Sequence, residues 1–479
     1  MTLKELGVKI FIMINCWAEK IYLHALATPD KVALVGESKL TYRQLWELSC
    51  GFANYLKNGG LQKGQVVICR ALGRVEYVVV YVATLIAKGV FTPFDKEFTI
   101  SKFSDQINEL PDVFCVIHNF SHTFGKDVNF DDVLTIADKY KSFDKVDFDL
   151  NDHAQILFTS GSTAKPKAVL MKNSQLLQGQ DICDFLHHTK DSVVLVMSPM
   201  HHYAFFGLAL PGFIIGGTVV LYDDFNFKHI VSLIVENKVT VMQATPSMMK
   251  VLSVLCKDKF GEIFASVRTF TVGGEFVPQP LKEWLKANLP TCKFYAIYGL
   301  TEMGFASCYR FDNLDKPFGC VGTLLPHVEI EIRHEEADVV AIKSPYAYKK
   351  YLGFEEHKDW FVTKDLSYFE DDHLFVLGRV DDVIVSGGTK INPFEIETVA
   401  KEFDGISQCV CVGVKDDFLG QVAKLYYLPT KEINLKDFKG FLAQKIEKAC
   451  LPKVYEKIDK IRTTPTGKLD RKWYKNYEK

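Results

Sequence analysis

Short strand-like segments alternate with helical patterns along the first half of the chain, and this alternation restricts the fold more than any other feature. The predicted strands are rich in β-branched and aromatic residues, which favour extended structure. Strands are predicted at residues 32–35, 66–69, 90–92 and 113–117, and helices between them at 45–56, 75–88 and 101–109. Further strands are predicted at 192–198, 218–222, 239–243 and 268–272. Such alternation is typical of parallel sheets covered by helices. We therefore predict an α/β fold with mainly parallel sheets.

The pattern changes near Gly378. A short charged segment at 379–382 contains no Pro-, Gly- or Ser-rich tether, so it suits a hinge between two packed bodies better than a loose linker. Beyond it, strands are predicted at 381–386, 406–414 and 423–428, and helices from 393 onward and at 435–450. We expect a large N-terminal domain of layered β-sheets flanked by helices at residues 1–379, and a small, mobile α+β C-terminal domain at 380–479.

Charge and cysteine usage exclude several functions. Of the 479 residues, 57 are Lys or Arg and 59 are Asp or Glu, which gives a net charge of −2. This balance provides no broad basic field, so we expect neither nucleic acid nor an anionic membrane as a partner. The 12 cysteines are scattered without a CxxC pair. We interpret them as reduced thiols of a cytoplasmic protein rather than as a disulfide framework or a zinc site.

Residues 204–222 carry no charge over 19 positions, which is the length of a membrane span. The segment also contains four glycines and a proline. These residues interrupt a spanning helix, so we predict a buried helix that ends near Gly216-Gly217, followed by a strand at 218–222. No membrane span is expected.

A loop rich in hydroxyl groups and lysines follows an apolar segment at 156–158. Residues 159–167 read TSGSTAKPK, so hydroxyls, backbone N–H groups and two ammonium groups fall within nine residues. Such donors can surround the oxygens of a polyphosphate. The loop is not a Walker A loop, because GxxxxGK[ST] is absent. Taken alone, it is either a plain turn or a polyphosphate site.

Four further segments place charged groups at predicted strand ends or turns. Glu302 in YGLTE is a candidate Mg²⁺ ligand, because Mg²⁺ takes few protein oxygens and shares those of phosphates, or it is a solvated turn residue. Asp365 in WFVTKDL can accept both hydroxyls of a ribose, or it is a loop carboxylate. GRVDD at 378–382 sets a cation and two carboxylates at the predicted boundary, or it is a surface charge cluster. Lys468 in TPTGK is presented by a Pro-Gly turn, or it is merely solvated.

In this order, the segments ILFTSGSTAKPK, YGLTE, WFVTKDL, GRVDDVIVSGGTKINPFEIE and TPTGKLDR resemble the motifs of the acyl-adenylate-forming (AMP-binding) superfamily. This superfamily comprises acyl- and aryl-CoA synthetases, peptide-synthetase adenylation domains and luciferases. LTYRQL at 40–45 is similar to an early segment of these enzymes, so the resemblance covers nearly the whole chain. It implies an AMP-forming acid–thiol ligase that activates a carboxylic acid as acyl-AMP with ATP and Mg²⁺, releases pyrophosphate, and transfers the acyl group to the thiol of coenzyme A.

The resemblance also implies a role for individual residues. Those implied to hold the β- and γ-phosphates of ATP are Thr159, Ser160, Gly161, Ser162, Thr163 and Lys167. Those implied elsewhere in the nucleotide site are Gly273, Gly274 and Glu275 at the adenine pocket, Tyr298 stacked on the base, and Gly299. Thr301 would contact the α-phosphate and Glu302 would bind Mg²⁺. Asp365 and Arg379 would hold the ribose. Lys468 would reach the reacting carboxylate and the α-phosphate.

The implied chemistry overcomes the resistance of a carboxylate to nucleophiles, which arises because the group is already negative. The carboxylate attacks the α-phosphorus, pyrophosphate departs, and the mixed anhydride has a good leaving group. Both reactants are anionic, so catalysis depends mainly on positioning and on neutralisation by Mg²⁺ and Lys468. In the family the small domain then rotates about a hinge, here Asp381. Ser386, Gly387 and Gly388 would then line the channel that admits the thiol.

The segment SPMHHYAFFG at 198–207 is similar to the family's PxxH…G motif. By that match, His202 would lie beside the acid pocket, and Tyr203 and Phe205 would be among its walls. No acidic residue between 198 and 222 can pair the ammonium of an α-amino acid, and an unpaired buried ammonium is costly. We therefore expect a fatty or aromatic carboxylic acid.

Two alternatives remain open at this point. A stand-alone enzyme that loads an acyl group onto the phosphopantetheine of a carrier protein would use the same thiol arm as CoA. A non-catalytic acyl-adenylate binder is an alternative of another class. It is motivated by Ala164 and Lys364, which stand where the family usually has glycine. Neither residue removes a charged catalytic group, so we expect an active enzyme.

Overall fold

The computed structural model describes residues 14–97, 99–120, 126–159, 167–222, 226–274, 277–311, 319–334, 337–348, 350–354, 359–462 and 469–477. The helices are α1 (Glu19–Ala27), α2 (Tyr42–Asn58), α3 (Val75–Ile86), α4 (Ile100–Glu109), α5 (Val133–Lys139), α6 (Gln178–Phe185), α7 (Tyr203–Leu208), α8 (Pro211–Ile214), α9 (Phe227–Asn237), α10 (Pro246–Cys256), α11 (Phe260–Ile263), α12 (Gln279–Asn288), α13 (Pro393–Glu402), α14 (Leu435–Lys445) and α15 (Arg471–Asn476). The strands are β1 (Val32–Val35), β2 (Lys39–Thr41), β3 (Val66–Arg70), β4 (Val90–Phe94), β5 (Val113–His118), β6 (Asp127–Asn129), β7 (His153–Thr159), β8 (Lys167–Lys172), β9 (Val193–Val196), β10 (Thr218–Val220), β11 (Val241–Ala244), β12 (Thr269–Gly273), β13 (Lys293–Leu300), β14 (Gly304–Arg310), β15 (Cys320–Leu324), β16 (Glu329–His334), β17 (Asp338–Lys343), β18 (Lys350–Tyr351), β19 (Phe361–Glu370), β20 (His373–Arg379), β21 (Ile384–Ser386), β22 (Thr389–Ile391), β23 (Ile406–Asp416), β24 (Gly420–Pro429) and β25 (Val454–Lys457).

The described residues divide into two compact units. The first unit comprises those within 1–196, 200–225 and 348–356, and the second comprises those within 197–199, 226–347 and 357–479. The predicted domain boundary between residues 379 and 380 lies inside the second unit and stays a prediction.

A sheet of the first unit has the strand order β18-β8-β7-β4-β3-β5-β6 among the described residues. Neighbouring strands within the set β3 to β7 are parallel, as predicted, whereas β8 and β18 are antiparallel to their neighbours. Helix α3 is buried along its whole length. Its sequence, VEYVVVYVATLI, is apolar on nearly every face, which is the pattern of a helix enclosed by other elements.

The predicted single helix that ends near Gly216-Gly217 is wrong. In the first unit this segment forms two short helices, α7 and α8, before β10. The physical reason is Pro211, which lacks an N–H group and occupies the start of α8, where no intrahelical partner is required. Phe213 and its neighbours are buried, so the segment belongs to the core. In the described part of the chain, no helix is long and apolar enough to cross a membrane.

The larger sheet of the second unit has the order β16-β17-β19-β20-β15-β14-β13-β12-β11. Strands β11, β12 and β13 are parallel. The remaining pairs are antiparallel, so the prediction of mainly parallel sheets fails in this part of the chain. Here successive strands are joined by short turns, as between β13 and β14, and a short turn can connect only antiparallel neighbours.

A separate sheet of the second unit follows β20, with the order β22-β21-β24-β23 and with β25 parallel to β24. Helix α13 begins at Pro393, as predicted, and the Asn392 side chain caps it by accepting the N–H of Phe394 at 3.0 Å. Buried Ile396 of α13 and Phe438 of α14 belong to one core with this sheet. These elements match the α+β pattern expected for the C-terminal region.

All twelve cysteines are free thiols, and ten of them are buried. Burial raises the pKa of several, for example to about 11 for Cys50 and for Cys256. The arrangement agrees with the interpretation of reduced thiols. Among the described residues, no group of three or more His, Cys, Asp or Glu side chains can hold a metal ion.

Candidate functional site

The carboxyl ends of β12 and β13 lie side by side in the second unit. In the parallel register Gly273 is opposite Ile297, which places Gly274 beside Tyr298. A Cβ atom added to Gly273 would lie 3.0 Å from Ile297 Cγ2, and Gly274 has φ +85°. Both positions therefore favour glycine, one by close approach and the other by conformation. The carboxyl ends of parallel strands are where α/β sheets bind ligands.

Tyr298, Asp365 and Arg379 form a connected group in the second unit. Asp365 on β19 pairs with Arg379 on β20 in the strand register, and Arg379 Nη1 lies 3.7 Å from Asp365 Oδ1. The Tyr298 hydroxyl donates to Asp365 Oδ2 at 2.6 Å. Asp365 is 5% exposed, whereas the Arg379 side chain is 41% exposed. The structure thus brings together three residues from three different strands, and Tyr298 and Asp365 are 67 positions apart in the sequence.

The phenol of Tyr298 is held protonated. Burial, reinforced by the neighbouring Asp365 carboxylate, raises the pKa of Tyr298 well above its ordinary value. The hydroxyl therefore remains a hydrogen-bond donor to Asp365, and the bond fixes the orientation of the Tyr298 ring.

The turn between β13 and β14 carries Thr301 and Glu302, both half-buried. Gly299 precedes this turn, and a Cβ atom there would lie 2.4 Å from the Gly304 carbonyl oxygen. The absence of a side chain at Gly299 thus lets β14 approach closely. The Glu302 carboxylate fits Mg²⁺, which commonly takes one or two carboxylates and completes its shell with phosphate oxygens and water.

Thr159 and Lys167 flank the predicted phosphate loop in the first unit. They are directly opposite each other at the adjoining ends of β7 and β8. Lys167 Nζ lies 4.9 Å from the centroid of the Tyr351 ring and 5.5 Å from that of Phe354. The ammonium is therefore placed by a cation–π contact. The predicted site residues that fall outside the described part of the chain are Ser160, Gly161, Ser162, Thr163, Glu275 and Lys468, together with Ala164.

The predicted acid-pocket residues lie at the start of α7 in the first unit. His202 is the N-cap position, and the Tyr203 hydroxyl donates to Gln178 Oε1 at 3.2 Å. Tyr203 lines a cavity of about 20 Å³ together with Gln178 and with aromatic and aliphatic side chains. Phe205 is 2% exposed and packs its ring against Tyr77. Phe205 is thus placed in the core, whereas Tyr203 and Gln178 border this small cavity.

The predicted hinge residue Asp381 lies in a 3-10 turn, Val380–Asp382, directly after β20. Both of its carboxylate oxygens accept a hydrogen bond from Lys364 Nζ, each at 3.1 Å. Lys475 Nζ of α15 donates to the Asp381 carbonyl oxygen and to Asp382 Oδ1, each at 2.9 Å. Sequence reasoning identified Asp381 but neither lysine as its partner.

Of the predicted thiol-channel residues, Ser386 is the last residue of β21, and Gly387 and Gly388 form the turn to β22. Gly387 has φ +54° and Gly388 has φ +87°, and a Cβ atom at Gly388 would meet nothing within 4 Å. The Gly387 N–H donates to the Leu419 carbonyl oxygen at 2.9 Å. Beside it, Phe418 is 97% exposed at the tip between β23 and β24. This exposed ring was not singled out from the sequence.

A family model for AMP-binding enzymes matches residues 22–345, and one for the C-terminal domain of AMP-binding enzymes matches residues 395–468. The first match covers more than half of the chain. The chain therefore belongs to the AMP-binding enzyme family, and the resemblance to acyl-adenylate-forming enzymes is confirmed.

Similar proteins refine this assignment. A 2-succinylbenzoate–CoA ligase of Staphylococcus epidermidis is 28% identical over 480 residues, which cover 96% of this chain and 98% of the relative. The structure of ATP-bound MatB from Rhodopseudomonas palustris has a TM-score of 0.87 at 22% identity, covering 97% of this chain and 99% of MatB. The o-succinylbenzoate CoA synthetase MenE from Bacillus subtilis, in complex with its acyl-adenylate OSB-AMP, has a TM-score of 0.83 at 22% identity, covering 96% and 97%.

These likenesses confirm the predicted fold class, a mixed α/β chain with a large sheet-containing domain and a small C-terminal domain. They also confirm the predicted enzyme class, an AMP-forming acid–thiol ligase that activates a carboxylic acid as acyl-AMP and transfers it to a thiol. ATP, Mg²⁺ and CoA are the cofactors and cosubstrates of this class.

Proposed function

We propose that this chain is an aryl-CoA ligase, which adenylates an aromatic carboxylic acid and passes the acyl group to CoA. The observation that carries the nucleotide part of the proposal is the group formed by Tyr298, Asp365 and Arg379. The Tyr298 hydroxyl and the Arg379 guanidinium lie 2.6 and 3.7 Å from the Asp365 carboxylate, and Tyr298 is near the carboxyl end of β13.

Asp365 is assigned to the ribose. A carboxylate has two oxygens, which can accept hydrogen bonds from the two ribose hydroxyls, and the bond from Tyr298 orients this carboxylate. Arg379 adds a cation 3.7 Å from Oδ1. The fixed Tyr298 ring would stack on adenine, next to the side-chain-free backbone of Gly273 and Gly274.

The loop from Thr159 to Lys167 is assigned to the β- and γ-phosphates. Lys167 would leave the rings of Tyr351 and Phe354 to meet phosphate, because an ion pair with a dianionic group is stronger than a cation–π contact. Bound Mg²⁺, held by Glu302, would neutralise charge on the phosphates. Thr301 and Lys468 are assigned to the α-phosphate, where the acid attacks.

An aromatic acid is favoured over a fatty or an amino acid for two reasons. The relative that is matched over 98% of its length is a 2-succinylbenzoate–CoA ligase, and 2-succinylbenzoate is an aromatic acid. The predicted acid-pocket segment, 198–222, has no carboxylate that could pair with an ammonium, which disfavours an amino acid. His202 and Tyr203 would border the acid.

The second half-reaction is assigned to the region after residue 379. Residues 380–479 would form the mobile C-terminal domain, with Asp381 as its hinge. Ser386, Gly387 and Gly388 would admit the thiol arm, because the two glycines leave room for pantetheine. CoA is favoured over a carrier protein because the relatives are CoA ligases. The free thiols favour a cytoplasmic enzyme.

The test is acid-dependent exchange of labelled pyrophosphate into ATP with a panel of benzoic, fatty and amino acids, followed by mass identification of the product with CoA. We expect exchange with substituted benzoates, an aryl-CoA product, and loss of exchange in Lys468→Ala. Exchange with fatty acids alone would refute the aromatic assignment. Product formed only on a carrier protein would refute CoA as acceptor, and no exchange with any acid would support a non-catalytic binder.

A further inference from the structure

The Lys364 side chain, on β19, contacts the predicted hinge residue, Asp381. Strand residues alternate in burial here: Thr363 and Asp365 are buried, whereas Lys364 is exposed. Since Asp365 pairs with Arg379, the register brings Lys364 next to the turn that begins at Val380. Its ammonium lies 3.1 Å from both oxygens of Asp381. A single side chain therefore spans from the sheet to the first residues after β20.

A second lysine, which follows the turn in the sequence, also binds it. Lys475 belongs to α15, and it binds the Asp381 carbonyl oxygen and the Asp382 carboxylate, each at 2.9 Å. Helix α15 is itself tied to α13 by Arg471, whose two terminal nitrogens bind the Glu397 carboxylate at 2.5 and 2.6 Å. If residues beyond the hinge rotate, Lys475 and Arg471 rotate with them, whereas Lys364 stays on β19.

From this asymmetry we infer that Lys364 is a positioning residue of the hinge, which favours the arrangement seen here and sets the balance between the adenylation and thioester-forming half-reactions. The inference rests on the proposed function only in taking Asp381 as the hinge. Rotation of the Asp381 backbone must separate the Lys364 ammonium from one or both carboxylate oxygens. Removal of this ion pair therefore raises the population of other hinge arrangements, and one half-reaction gains while the other loses.

The pair is half-exposed, with side-chain exposures of 55% for Lys364 and 38% for Asp381. Exposed pairs contribute modestly, so we expect a change of roughly two- to fivefold in the ratio of the two half-reaction rates. Salt screens such a pair. High ionic strength should therefore shift the ratio of the wild type toward that of Lys364→Gln and should leave the variant's ratio unchanged.

The experiment compares the full-length wild type with Lys364→Gln, Lys364→Arg and a control, Lys445→Gln. Lys445 pairs with Glu402 at 2.6 Å in a similarly exposed ion pair that does not involve the hinge. Two rates are measured: pyrophosphate exchange into ATP for the adenylation step, and single-turnover thioester formation from preformed acyl-adenylate for the second step. Hydrogen exchange of the amides at 380–384 is measured in the same proteins and requires no activity.

We expect Lys364→Gln to change the rate ratio with opposite effects on the two steps and to exchange faster at 380–384. Lys364→Arg keeps the positive charge, so its rate ratio and its hydrogen exchange at 380–384 should stay close to those of the wild type. Lys445→Gln should also resemble the wild type. An unchanged ratio together with unchanged hinge exchange would overturn the inference, and so would a parallel fall of both rates. Faster hinge exchange in a protein that activates no acid would support the contact while refuting the proposed function.

Discussion

Replacement of Tyr298 by Phe isolates the contribution of a single hydrogen bond to ATP use. The change keeps the ring that would stack on adenine and removes only the hydroxyl that donates to Asp365 Oδ2 at 2.6 Å. Asp365 is 5% exposed, so its carboxylate cannot recover the lost bond from bulk water. Hydrogen bonds to charged groups contribute about 1.5–3 kcal/mol.

If Asp365 binds the ribose and Tyr298 orients it, this energy is lost from the complex in which the nucleotide reacts. A free-energy difference of about 1.4 kcal/mol corresponds to a factor of ten, so kcat/KM for ATP should fall roughly 10- to 100-fold. The phenol stays protonated because the pKa of Tyr298 is raised, so the loss should not vary with pH between 6 and 9.

The assay is pyrophosphate exchange at varied ATP concentration with saturating acid. Tyr368→Phe provides a matched control, because Tyr368 lies on the same strand as Asp365 and stacks on Phe375 with ring centroids 4.5 Å apart. We expect the control to retain wild-type values. A Tyr298→Phe enzyme with unchanged kcat/KM for ATP would show that the hydrogen bond has no part in nucleotide use and would refute this reasoning.

Three further predictions concern stability and the thiol step. His188 is largely buried, and burial lowers its pKa to about 4, so the folded state opposes its protonation. The free energy of unfolding should therefore fall by about 2 kcal/mol between pH 7 and 5 because of this residue. In urea titrations, His188→Leu should lose about 2 kcal/mol less stability than the wild type over the same pH range. Arg471→Met leaves the Glu397 carboxylate buried without its cation and should destabilise the C-terminal region by about 3–5 kcal/mol in urea unfolding. Arg462 is exposed, so the control Arg462→Met should cost under about 1 kcal/mol. Equal effects of the two substitutions would refute the argument from the buried pair. Phe418→Ser should raise the KM for CoA about fivefold or more and leave pyrophosphate exchange unchanged, because an exposed ring beside the predicted thiol channel can stack on the nucleotide of CoA; an unchanged KM would exclude that contact.

Local signals predicted much of the secondary structure. The strand at 32–35 has the predicted bounds, and the helix predicted from Pro393 begins there because Asn392 caps it. The segment at 204–217 was mispredicted because apolar residues on both sides of Pro211 concealed the break. Parallel pairing was overpredicted, since a short strand has the same local pattern whether its neighbour runs with it or against it.

The candidate site was predictable in its residue types and not in its connections. Tyr298, Asp365 and Arg379 were each identified through motifs, and the structure brings them together. The bond from Tyr298 to Asp365 joins residues 67 positions apart, and no local pattern specifies that register. Lys364 was noted only as a departure from glycine, and its contact with Asp381 depends on the pairing of β19 with β20.

The burial of the cysteines has a consequence for an enzyme that manufactures acylating agents. An acyl-adenylate and a thioester both react with thiolates, so an accessible ionised cysteine would capture the product on the protein itself. Ten of the twelve thiols are buried, and burial raises the pKa of most of them, including half-buried Cys450. The fold thereby keeps most of its own sulfur atoms protonated and out of reach, which leaves the incoming cosubstrate as the favoured acceptor.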